Sequence, residues 1–121
     1  MFYYTKHVAV TDTAENEILT VPVGYALYVN YIFIANHGGS TNSVSCWFEN
    51  SAGVDQLYFL DGKNVSSGEQ VTMGGQSEAP IFVLHNGETV KAQTGSLGDV
   101  EFAFTFKLID KPPIFTNFNG A

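Results

Sequence analysis

Three histidines, one cysteine and twelve carboxylates are the side chains of this 121-residue chain best suited to bind a metal or to exchange a proton near neutral pH. His7, His37 and His85 are far apart in sequence, and no two have the short spacing of paired metal ligands. Cys46 has no second cysteine for a Cys-x-x-Cys site or an internal disulfide. GQSEA, residues 75–79, comes near the G-x-S-x-G nucleophile elbow, but that elbow needs a strand, a sharp turn and then a helix, and here Pro80 and a strand-like run follow. NHGGST, residues 36–41, is glycine-rich without the lysine of a phosphate loop. Asn64-Val65-Ser66 fits a glycosylation sequon, but no secretory signal gives it relevance. Glu15 and Glu17 share a face only in extended chain, and Asp55 and Asp61 flank a strand. Neither pair matches a calcium loop. The sequence therefore predicts no enzyme, no cofactor and no metal, with the carboxylates forming a solvated acidic surface.

Binding residues come next. The net charge is −7, with five lysines and no arginine. Arginine supplies the forked contacts to phosphate and guanine, so its absence on an acidic chain predicts no nucleic-acid partner. Lys6, Lys63, Lys91, Lys107 and Lys111 form no cluster in sequence. The longest apolar stretch, residues 31–35, is far too short to span a bilayer. The opening MFYYTKHVAV has neither a basic nor a long apolar signal region, which predicts synthesis in a reducing cytoplasm. Cys46 alternates with Val44 and Phe48 and is expected to point into a core. Trp47 falls on the other face with Ser45 and Glu49, where it either stacks a sugar, anchors an interface or packs a second layer.

The elements that must position these residues are strands. In DVEFAFTFKL, residues 99–108, Val100, Phe102, Phe104, Phe106 and Leu108 alternate with Glu101, Ala103, Thr105 and Lys107, the period of a half-buried strand. YALYVNYIFIAN, residues 25–36, is apolar on both faces, as in a central strand covered twice or one whose outer face meets a partner. VPVG before it reads as a turn and NHGGSTNS after it as a loop. Further strands are expected in residues 2–10, 44–49, 55–60 (closed by Asp61-Gly62), 68–73, 80–85 and 88–94. Asn86-Gly87 predicts a hairpin between the last two. Only residues 12–19, DTAENEIL, suggest a helix, through the capping-box pair Asp12 and Glu15. Eight or nine short strands with a turn every eight to twelve residues predict an all-β protein: one antiparallel β-sandwich, jelly-roll or immunoglobulin-like.

The sandwich is expected over residues 1–109, with an extended C-terminal arm over 110–121. Pro112 and Pro113 end the last strand and favour an extended path. Ile114, Phe115 and Phe118 then place apolar side chains on a segment with no pattern of its own. From Asp110 it can reach about 40 Å. Those side chains require a surface, on the parent body or on a neighbour, and burying them supplies roughly 5 kcal/mol before ordering costs.

Two stretches carry a family resemblance. ILTVPVGYALYVNYIFIANHGGSTNSVSCWF resembles the front half of small β-sandwich proteins of tailed-phage particles, in which a TVP-x-G turn precedes a long apolar strand ending at Asn. LHNGETVKAQTGSLGDVEFAFTF is similar to their later hairpin and closing strand. The resemblance covers residues 18–106 and implies a non-enzymatic virion structural protein, foremost a capsid decoration or cement protein that binds and stabilises the head shell. A tail, baseplate or fibre component is the alternative; a carbohydrate-binding module using Trp47 and nearby tyrosines is the further alternative. Under the first reading the partners are the major capsid protein, other copies of the chain in a homo-oligomer, or both. The location is then the capsid exterior, and the expected interface residues are Tyr3, Tyr4, Trp47, Ile114, Phe115 and Phe118.

Overall fold

The computed structural model describes residues 3–54, 56–75 and 80–110. Nine strands appear: β1 (Tyr3–Val10), β2 (Asn16–Thr20), β3 (Tyr25–Asn36), β4 (Asn42–Glu49), β5 (Gln56–Val65), β6 (Gln70–Gly74), β7 (Phe82–Leu84), β8 (Thr89–Thr94) and β9 (Val100–Asp110). All pairings are antiparallel, in two sheets. One has the order β1-β9-β3-β6, with β7 also on β3; the other has the order β2-β8-β4-β5.

The pairing is nested. The first strand pairs with the last, the second with β8, the third with β6 and β7, and the fourth with β5. Counting β6 and β7 as one interrupted strand gives eight, a two-stranded ribbon wound into a sandwich. That is a jelly roll, which decides between the two sandwich types expected.

Alternation places the core. Val100, Phe102, Phe104, Phe106 and Leu108 of β9 face inward as their period requires, with Phe102 and Phe104 fully buried. Opposite them stand Leu27, Val29, Ile32 and Ile34 of β3, all buried. The inward phase changes from odd to even because the β3–β9 register shifts between Val29 and Tyr31. The carbonyl of Asn30 at this bulge accepts a hydrogen bond from Gly75 N at 3.1 Å. Gly74 has φ +80, and a Cβ there would stand 2.2 Å from that carbonyl oxygen, so only glycine lets the chain pass so close.

Three local expectations are corrected. Residues 12–19 form no helix: Asp12 Oδ1 accepts from Ala14 N in a tight turn, and the chain then enters β2 against β8. Two apparent capping residues do not outweigh a strand partner. Asp61-Gly62 does not close a strand, because β5 runs on to Val65. The pair bulges opposite Ser45, whose Oγ accepts from Gly62 N at 2.9 Å. Asn86-Gly87 makes no hairpin either, since β7 and β8 lie in different sheets. Gly87 has φ +79 but Asn86 does not have positive φ, so the type I′ turn of a hairpin is not formed. The turn is closed by Glu88 N donating to His85 O at 2.9 Å, and it carries the chain across the sandwich.

Candidate assembly surface

The outward face of the five-stranded sheet is apolar in its middle. Because of the bulge at Asn30, Tyr28, Tyr31 and Phe33 of β3 all point outward, each partly exposed. The register lays them in rows across the sheet. Val83, Tyr28, Lys107 and Tyr3 form one row. Tyr31, Thr105 and Thr5 form the next, and Thr72, Phe33, Ala103 and His7 the one after. Lys107 Nζ lies 4.4 Å from the centre of the Tyr3 ring, a cation–π contact. Thr5 and Thr105 share a hydroxyl hydrogen bond of 3.1 Å. Sheet faces toward water are normally polar, and a contiguous patch of aromatics marks a surface that meets something.

The expected interface residues do not fall on one surface. Tyr3 belongs to the face just described and is 49% exposed. Tyr4 points to the other side of β1, where its ring stacks on Phe106 at 5.8 Å. Trp47 lies on the outer face of the four-stranded sheet, yet has no exposed surface. Its ring packs against Tyr58 at 5.2 Å and its indole N–H donates to Glu49 Oε2 at 2.9 Å. A ring in this state offers no free face for a sugar to stack on. Ile114, Phe115 and Phe118 lie outside the described residues, as do Asp55 and most of the GQSEA stretch. Sequence reading missed Tyr28, Tyr31 and Phe33 as surface residues. The signal was the two-faced apolarity of residues 25–36, which does not reveal which side is covered.

Around Trp47 the chemistry is structural. Glu49 is buried and pairs with Lys91 at 3.3 Å, and Lys91 also reaches Glu15 at 3.8 Å. The indole hydrogen bond, with Lys91 beside it, holds the Glu49 carboxyl below the usual carboxylate range despite its burial. Cys46 is fully buried in the core as expected, and burial pushes its thiol far up, which keeps it protonated. His7 lies on the outward face of β1, His37 follows β3 and His85 follows β7. Among the described residues no three metal-ligating side chains come together.

No family model matches the chain, and no curated protein does. Solved structures share its fold. A chain of the Bacillus endospore appendages, which form disulfide-linked pili, is similar at a TM-score of 0.53 and 14% identity, over 91% of this chain and 89% of that one. A chain of the capsid asymmetric unit of cyanophage Pam1 is similar at a TM-score of 0.51 and 13% identity, over 87% of this chain and 82% of that one.

Proposed function

We propose that this chain is a non-enzymatic structural subunit of a tailed-phage virion, a decoration or cement protein seated on the outside of the head shell. The observation that carries this reading is the outward face of the five-stranded sheet, with Tyr28, Tyr31, Phe33 and Tyr3 aligned in register on a rigid support. Aromatic anchors of this kind supply most of the binding energy of protein interfaces. The net charge of −7 supports an exterior position, away from packaged DNA. The jelly roll is also the fold seen in a chain of a phage capsid asymmetric unit and in a pilus subunit, both repeating assemblies. In this reading residues 1–109 are the seated body and residues 110–121 an arm whose Ile114, Phe115 and Phe118 grip a neighbour. The sugar-binding alternative loses its platform with the burial of Trp47.

The test is to add purified protein to particles that lack it. Binding to intact heads at micromolar affinity or better is the expected result. Binding to isolated tails and not to heads would replace the decoration role by a tail, baseplate or fibre role. Failure to bind either would remove the virion reading.

A further inference from the structure

The two flanks of the sandwich differ. On one, β1 and β2 come together along their main chains; on the other, β5 meets β7 through the rings of Phe59 and Phe82 at 5.0 Å. Between those edges runs a groove of about 410 Å³ lined by Phe48, Leu57, Phe82 and Leu84 together with Glu49 and Glu88. Phe48, Phe59 and Phe82 pack ring on ring at 4.7–5.0 Å beside it, and all three keep partial exposure. Leu57 overhangs the groove at 68% exposed. The strand bearing it, β5, is an edge of its sheet, with main-chain groups on its outer side that no described strand pairs.

We infer that this groove receives residues 111–121 of a second copy of the chain, laid along β5 as an added strand. The inference rests on the reading of the chain as an assembly subunit. In an extended segment Ile114 and Phe118 fall on one side and Phe115 on the other, so two large apolar groups enter the groove together. Charge agrees: residues 1–110 hold all twelve carboxylate side chains, whereas residues 111–121 hold a lysine and none. The donor is another copy because of where β9 ends. Asp110 pairs with Tyr25 at the rim of the five-stranded sheet, and β7 lies on the far side of β3. If the chain continued extended through Pro112 and Pro113, Ile114 would stand about 13 Å beyond Asp110, so seating both Ile114 and Phe118 in the groove of the same copy would require the segment to reverse.

The experiment uses the full chain and light scattering on a sizing column. Wild type is expected to be a defined oligomer. Leu57→Lys damages only the groove, at a site exposed enough to leave folding intact. Ile114→Asp with Phe118→Asp damages only the inserted segment. Each variant alone is expected to dissociate at concentrations at least tenfold above those at which wild type does. Mixed, they are expected to form a one-to-one dimer, since one retains a segment and the other a groove; its mass is twice 13.2 kDa. Added peptide KPPIFTNFNGA is expected to lower the mass of the wild-type oligomer. A wild-type monomer would overturn the exchange between copies. An oligomer that ignores both variants and the peptide would overturn the groove as the docking site, while the particle-binding assay independently decides the virion reading.

Discussion

Asn36 ends β3 with its side chain almost wholly buried. Its Nδ2 donates to the carbonyls of Ser40 and Val65 at 2.9 and 2.8 Å, and its Oδ1 accepts from Gly38 N at 2.9 Å. One amide thus satisfies three main-chain groups, two from the loop after β3 and one from the end of β5, which gives a physical reason for an asparagine where the long strand stops. Asn36→Ala leaves the buried Val65 carbonyl unpaired and frees two part-buried groups of the loop, and is expected to cost about 2 kcal/mol, read as a lower urea midpoint at unchanged slope. Glu49 gives a pH-dependent case. Its carboxyl is held below the usual range when folded, so its contribution is complete above the ordinary glutamate value and is lost as pH falls through the lowered one. Wild type is expected to exceed Glu49→Gln in stability by about 1–3 kcal/mol at neutral pH. In urea titrations taken from pH 6 to pH 3, that gap should hold down to the ordinary glutamate value of about 4.3 and narrow below it. A gap unchanged over that range would mean that the charge of Glu49 is not what stabilises the Trp47–Lys91 cluster.

At the scale of elements, legibility followed how local the cause was. The strand β9 was readable because strict alternation has one cheap solution, a face of phenylalanines turned inward. Cys46 was readable for the same reason. Trp47 was not, because its burial depends on Tyr58 from β5 and Glu49 two residues on, and on register shifts in the β4–β5 pairing. Asp12 and Glu15 looked like a helix start, yet the first caps a turn and the second reaches Lys91. The turn at residues 85–88 is the sharpest instance. Asn-Gly specifies a tight turn but not which sheet the exiting strand joins, and the choice was made by β8 pairing with β2 and β4. The same turn recurs at residues 66–69: in both, a glycine of positive φ precedes a glutamate whose carboxylate accepts the N–H of the first residue, Ser66 at 2.8 Å and His85 at 2.6 Å. Gly87→Ala tests the crossing. A Cβ there would meet Ser51 Cβ at 2.8 Å from a backbone with φ +79. A loss of about 1–3 kcal/mol is expected, measured by thermal unfolding. A neutral result would mean that the turn can change type without disturbing either sheet.

For the whole molecule, the jelly roll separates stability from contact. The inward faces of both sheets hold the core, while the outward face of the five-stranded sheet adds aromatic area that the fold itself does not require. Changing that face should therefore leave folding nearly intact and remove binding. Tyr3→Thr with Phe33→Thr keeps strand-compatible side chains at both positions, so the free energy of unfolding is expected to stay within about 1 kcal/mol of wild type. If these rings are anchors, their loss costs at least about 2 kcal/mol of association, a weakening of roughly thirtyfold in particle binding. The control is Leu97→Glu, at a loop position 74% exposed and outside the rows of that face, which is expected to bind as wild type does. Equal weakening by Leu97→Glu would move the contact to the loop end of the sandwich. Unchanged binding by the double variant would show that the sheet face stays in solvent on the particle, leaving residues 110–121 to carry the attachment.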